Sequence, residues 1–278
     1  MKITVLVDNN TIIDRYLFGE PGVSFFIQDS GKNILFDVGY SDIFIKNGQK
    51  LGVNIYDIDC IAISHGHSDH TWGLVPLLRL YTEAILEKQE FKIPMLLAHS
   101  QAFEYKYGDK EVIGSIIEEK MLNSFFNMNL RKEPFWITDK LVFLGEIERV
   151  NSFENKEPIG KYLNQGIIVD DFIKDDTALA YKSKDGLIII TGCSHSGICN
   201  IIEYAKKVCS ENRVVDVIGG LHLLDPDKEQ IEMTKKFMKQ TDLKELHACH
   251  CTDLNSKLAL SEVAKIKEVG VGLVLEFV

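Results

Sequence analysis

Short β-branched runs bounded by turn residues fill the first seventy positions. Lys2 to Val7 and Cys60 to Ile63 read as strands, and the two runs either side of Asp29-Ser30-Gly31 read as a hairpin. At Thr71 the period changes. Leu74, Leu77, Leu78, Tyr81 and Ile85 recur at three- and four-residue spacing, which predicts a helix, and Pro94 to His99 returns to a strand pattern. The second half alternates more regularly. A hairpin over Thr177–Gly192 turns at Lys184-Asp185-Gly186, a helix starts at Ser196-Gly197, and strands at Val214–Gly220, Glu245–His250 and Val271–Phe277 alternate with helices over Asp227–Gln240 and Ser256–Gly270. The stretch around 100–165 is the least regular. It holds an amphipathic run from Ile113 to Phe126 and a strand-like run from Trp136 to Gly145, and it reads as a lid or a substrate-specific insertion. No linker or low-complexity stretch divides the β-rich first half from the βαβ-rich second, so the chain is expected to form one domain over 1–278, with helices outside layered sheets.

Composition narrows the function. The 278 residues are 45% hydrophobic, enough for a substantial core, and 31 basic against 41 acidic residues leave a net charge of −10. That balance offers no general attraction to nucleic acid or to an anionic membrane, so neither is expected as a partner. No apolar run approaches the roughly 20 residues needed to span a bilayer, and Met1 to Asn10 turns polar too early for a signal peptide. A cytoplasmic location is the expectation. The six cysteines then read as reduced thiols or metal ligands rather than a disulfide framework.

The chemistry concentrates in Ser64-His65-Gly66-His67-Ser68-Asp69-His70, which places three of the eight histidines directly after an apolar strand. A turn at a strand end projects neighbouring side chains in different directions. One loop can therefore supply His65 and His67 to one cation, and Asp69 with His70 to a second. The remaining ligands must come from other strand ends, and three are available: Cys193-Ser194-His195, Leu221-His222 and Cys249-His250-Cys251.

The loop resembles the HxHxDH signature of the metallo-β-lactamase superfamily. Further matches at Leu144–Ile147, Asp175–Leu179, Thr191–Ile198, Gly219–Leu223 and His250–Thr252 resemble the branch of 7,8-dihydropterin-6-methyl-4-(β-D-ribofuranosyl)aminobenzene 5′-phosphate synthases, over nearly the whole chain. The resemblance implies an α/β fold, a four-layer αββα sandwich. It also implies two divalent metal ions, usually zinc but iron or manganese in some members, at the edge between the sheets. It further implies a small anionic substrate, a pterin or a phosphoester, and transfer of a dihydropterin-methyl group with release of pyrophosphate. The same ligands suit hydrolysis of a phosphoester, thioester or lactone, and an iron-binding redox or sensing protein is the alternative from another class.

Departures from the family pattern leave choices open. Cys193 stands where most relatives carry a metal-bridging aspartate, and it is either a soft ligand or a small buried residue. His195 becomes the third histidine of the first metal. His250 is favoured as the last ligand of the second, with His222 as its rival or as a substrate-pocket residue. Asp69, Asp176 and His222 are the candidate catalytic residues, Asp176 and its neighbour Asp175 as orienting groups or proton acceptors. Trp72, where the branch commonly has glycine, is expected to narrow the pocket mouth or offer a stacking face. His99 reads as an ordinary packed histidine, and His247, Cys249 and Cys251 as one face of a strand with His250 on the other. Arg149, Lys156 and Lys161 carry no assignment.

Overall fold

The computed structural model describes residues 1–164 and 166–278. In chain order the elements are β1 (Lys2–Val7), β2 (Ser24–Asp29), β3 (Lys32–Phe36), α1 (Ile43–Leu51), β4 (Cys60–Ala62), α2 (Ser68–Thr71), α3 (Leu74–Glu87), β5 (Met95–Ala98), β6 (Lys106–Tyr107), α4 (Glu119–Leu122), β7 (Asn127–Leu130), β8 (Phe135–Trp136), β9 (Leu141–Phe143), β10 (Lys161–Asn164), β11 (Ile167–Asp170), β12 (Ala178–Lys182) and β13 (Leu187–Thr191). They continue with α5 (Ile198–Cys209), β14 (Val214–Gly220), α6 (Lys228–Thr241), β15 (Glu245–Cys249), α7 (Leu254–Leu260) and β16 (Val274–Glu276). Two sheets carry the architecture, ordered β16-β1-β2-β3-β4-β5-β7 and β15-β14-β13-β12-β9-β8, beside a small sheet β11-β10-β6.

Both faces of the central strands are apolar, which is what a strand buried between two layers requires. On β13, Leu187 and Ile189 pack toward Ile198, Ile201 and Ile202 of α5, whereas Ile188 and Ile190 join Phe25, Ile27 and Phe36 of the other sheet. On the far side of the first sheet, Leu6 and Leu35 meet Phe44 of α1 and Leu74, Leu77 and Tyr81 of α3. Three core layers thus separate helix, sheet, sheet and helix, and the molecule is an αββα sandwich.

Several elements differ from the sequence pattern. The amphipathic run from Ile113 to Phe126 contributes only the single turn α4. Its first residues are diverted, because Ile113 and Gly114 donate to the Lys106 carbonyl and the Ile113 carbonyl accepts from Ser68. The last helix stops at Leu260 rather than running to Gly270. Beyond it the chain lies along β15, with the Leu246 N–H donating to Lys265 and the Lys267 N–H to Leu246. The segment around 100–165 is not wholly an addition either: β7 forms the edge of the first sheet and β8 and β9 lie in the second. Gln165, its final residue, lies outside the described residues.

Strands β3, β4 and β5 run parallel, as do β13, β14 and β15. The ends of β4, β13, β14 and β15 carry the histidine loop, Cys193–His195, His222 and His250. Functional groups of α/β sheets sit in that position.

Candidate metal centre

Five loops meet at this edge, and those that follow β3, β13, β14 and β15 each bend through a left-handed residue other than glycine. Asp37 has φ 57°, Ser194 66°, His222 48° and His250 49°. Such backbone is costly for ordinary residues and clusters at sites where direction matters more than local stability. Gly66 is required for another reason: a Cβ there would collide with the Ala102 carbonyl oxygen.

Two groups of possible ligands result, in each of which one donor atom per residue lies within 4.8 Å of the others: His65 with His67 and His195, and Asp69 with His70, Cys193 and His250. In the first, the Nε2 atoms of His65 and His195 face each other at 3.1 Å, and the three rings stand 4.6–4.7 Å apart. Burial and the neighbouring histidines hold His65 and His195 well below the ordinary histidine pKa, and burial with the nearby Lys106 cation takes His67 down to about 3. These are buried imidazoles whose ring nitrogens converge. His67 Nε2 and His195 Nδ1 are buried without a hydrogen-bond partner among the described residues. A cation between the rings would relieve that convergence, so the residues fit a metal ion.

The second group is more polar. His70 Nε2 lies 3.2 Å from Cys193 Sγ and 3.6 Å from Asp69 Oδ2, and His250 Nε2 lies 3.2 Å from the same Asp69 oxygen. Behind His70, Nδ1 meets Asp37 Oδ2 at 2.7 Å, and Asp37 also accepts from the Ser64 N–H and hydroxyl, each at 2.7 Å. Burial works against charge on His70, yet Asp69 and Asp37 carry its pKa up to about 8. His250 is held from β1, its N–H donating to Asp8 at 3.0 Å and its Nδ1 lying 3.2 Å from Asn9 Oδ1. An outer carboxylate on one ring nitrogen leaves the other free for a metal.

The structure therefore brings all seven residues expected as ligands, from three distant stretches, to one place, Cys193 among them with its Sγ 3.2 Å from His70 Nε2. His222 joins neither group. Its ring lies 4.2 Å from that of His195, and it lines the cleft beside the two ligand groups. Asp175 and Asp176 stand behind the loops: Asp175 Oδ2 accepts from the Gly66 N–H at 2.7 Å, and Asp176 Oδ2 accepts from the Ser196 N–H at 2.8 Å and its hydroxyl at 2.5 Å. Burial raises Asp176 to about 6, but its carboxylate is not among the groups lining the cleft. Trp72 neither narrows the mouth nor faces the cleft: its indole N–H donates to Gly114 at 2.9 Å and its ring stacks on Tyr40. His99 is buried between Glu146 and the Gln101 N–H. Strand β15 ends at Cys249, so the expected face is broken, and Cys251 turns to donate to the Cys193 carbonyl at 3.4 Å. Asp8, Asn9 and Asp37 went unread in the sequence. The two aspartates nonetheless follow apolar strand runs, as the histidines do.

The two ligand groups open into a cleft of about 430 Å³ with apolar walls from Pro21, Ile113, Ile159 and Leu224. Past His195 and His222 it continues into a side chamber of about 350 Å³, whose wall includes Glu154, Glu157, Asp225 and Asp227. Lys156 there is engaged by Glu229 at 2.7 Å and Asp227 at 3.4 Å. Arg149 is turned away, binding Asn155 and the Ile173 carbonyl.

Residues 17–206 match the Metallo-beta-lactamase superfamily. The 7,8-dihydropterin-6-methyl-4-(beta-D-ribofuranosyl)-aminobenzene-5′-phosphate synthase of Methanocaldococcus jannaschii is 31% identical, over 100% of this chain and 97% of that protein. An uncharacterized protein of the same organism is also 31% identical, over 94% of each. Among solved structures, a metal-dependent hydrolase of the beta-lactamase superfamily superposes with a TM-score of 0.83 at 29% identity, covering 99% of this chain and 98% of its own.

Proposed function

Because the chain belongs to the metallo-β-lactamase superfamily, we propose that it is a two-metal enzyme that breaks a bond to an anionic oxygen leaving group, in the manner of the dihydropterin synthase it resembles. The observation that carries this reading is the pair of ligand groups side by side on the floor of one cleft. His65, His67 and His195 would hold one ion, and Asp69, His70, Cys193 and His250 the other, with zinc as the first expectation. When bound, such a pair lowers the pKa of coordinated water and stabilises charge on a departing oxygen.

The protein's own groups do the rest. Asp37 fixes the His70 ring through Nδ1, Asn9 and Asp8 fix His250, and Asp175 fixes the loop between His65 and His67. The apolar walls take the organic part of the substrate and exclude water around it. His222, on the wall and outside both ligand groups, is placed to accept the proton released by an attacking amine or water. For the synthase-like reaction the amine nitrogen bonds to the dihydropterin-methyl carbon, the carbon–oxygen bond breaks, and pyrophosphate leaves with the electron pair.

A second reading, hydrolysis of a small anionic ester, has its own support. Four carboxylates and one engaged lysine line the side chamber, a poor setting for a phosphorylated amine acceptor and an indifferent one for water. The experiment that separates the two readings measures pyrophosphate release from a dihydropterin-methyl pyrophosphate with and without an arylamine. Release that requires the amine supports the transferase, and equal release without it supports the hydrolase. Metal content of about two equivalents per chain, falling by about one in His195→Ala and in His250→Ala, tests the shared premise; no uptake of metal would overturn both readings.

A further inference from the structure

We infer that Lys106, in the segment that reads as a lid, is a positioning residue for the metal loop: its ammonium aims the Asp175 carboxylate that holds Gly66 between His65 and His67. The inference rests on the metal reading above. Lys106 is 1% exposed, and its Nζ is bound by Asp175 Oδ1 and lies 3.2 Å from Asp171 Oδ2, both aspartates being buried as well. The other Asp175 oxygen receives the Gly66 N–H at 2.7 Å. One carboxylate is thus committed on one side to the lysine and on the other to the residue between two metal ligands.

The rest of the segment grips the same loop. The Lys106 carbonyl accepts from Ile113 and Gly114; the Ile113 carbonyl accepts from Ser68; Gly114 forms a bridge with His67 and accepts the Trp72 indole N–H. The Lys106 side chain itself runs past Gly66, its Cε within 3.2 Å of where a Cβ would stand. A buried lysine between two aspartates is a poor device for stability alone, since apolar residues of similar volume often serve as well. It is a good device for direction, because the ammonium fixes one Asp175 oxygen and leaves the other aimed at the Gly66 N–H, a charge-assisted contact.

The test is a cobalt titration of Lys106→Met against a chromophoric chelator, with the melting temperature of the metal-free protein recorded alongside. The stage missing in His195→Ala identifies the ion held by the three histidines. Affinity at that stage is expected to fall about 10- to 100-fold, the usual effect of losing an outer partner of a metal ligand. Leu141→Ala, in the core between the sheets, is the control; it should lower the melting temperature with less than about a twofold change in affinity. Should Lys106→Met not fold, the Lys106→Met/Asp175→Asn double variant removes one of the two buried carboxylates left without the lysine and is expected to show the same weakening. Wild-type affinity in either folded variant overturns the inference while leaving the metal reading intact. A wild-type protein that takes up no cobalt overturns both.

Discussion

The two ligand groups share a floor and a loop but are built on opposite electrostatic plans. Burial and nearby positive charge hold the rings of His65, His67 and His195 toward the neutral form, and His67 Nε2 and His195 Nδ1 find no partner among the described residues. Asp69, His70, Cys193 and His250 find charge partners around them, His70 against the outer Asp37 at 2.7 Å and His250 against Asp69 at 3.2 Å. One group is completed only by a cation; the other can settle its own charges. Removing metal should therefore unsettle the histidine triad more than its neighbour.

The largest effect expected is from Asp69→Ala, which removes both a ligand and the carboxylate that pairs His250. Turnover should drop by more than about 100-fold, beyond the range typical of an outer partner, with about one metal equivalent lost on mass-spectrometric analysis. Full activity in this variant would break the comparison at its root.

The next test uses pH. His67 lies at about 3 against an ordinary 6.5, so its contribution to the stability of the chelated protein is present above pH 6.5 and lost as pH falls toward 3, on the order of 5 kcal/mol. His70 lies at about 8, so its contribution is complete below pH 6.5 and lost as pH rises through 8, about 2 kcal/mol. Urea unfolding of the chelated protein from acid to mildly alkaline pH should show His67→Ala flattening the acid limb and His70→Ala the alkaline one. If both variants flatten the same limb, the two groups do not differ in the way described.

The sequence alone revealed the two groups unequally, and the reason is physical. His65, His67, Asp69 and His70 lie in one turn after an apolar strand, so local pattern exposes them. Layered sheets with helices outside were legible because strands such as β13 are apolar on both faces and helices such as α3 keep a clean 3.6 period, whereas the four-layer order followed from the family resemblance. What orients the ligands comes from afar: Asp8 reaches His250 across 242 positions, and Asp175 reaches Gly66 across 109. No periodicity marks such pairs. The amphipathic run from Ile113 to Phe126 keeps one helical turn for a related reason, because its first backbone groups pair with Lys106 and Ser68, and tertiary pairing overrode the local pattern.

Asp37→Asn sharpens the comparison at smaller scale. The amide keeps the size of the carboxylate but loses its charge, so it orients the His70 ring without strengthening it. Affinity for the second ion should weaken about 10- to 100-fold in a competition titration, while the histidine-triad ion is retained. Equal weakening of both ions would show that Asp37 acts through Ser64 on the whole loop, since it also accepts from the Ser64 N–H and hydroxyl.

Cys193→Ser asks the finest question. Burial raises the Cys193 thiol well above its ordinary range, and Cys251 lies against it, its thiol drawn down against the cost of burial by Cys193, His250 and the His222 N–H. A thiol so placed, 3.2 Å from His70 Nε2, ionises only with a cation beside it. Serine fills the same space and offers a harder oxygen that stays protonated at neutral pH. If Cys193 is a ligand, the variant should bind the second zinc about tenfold less tightly, with the first ion untouched. It should also lose the thiolate-to-metal charge-transfer band of the cobalt form. Unchanged affinity and an unchanged spectrum would make Cys193 a packing residue; the second group would then consist of Asp69, His70 and His250, and the contrast with the triad would rest on Asp69 alone.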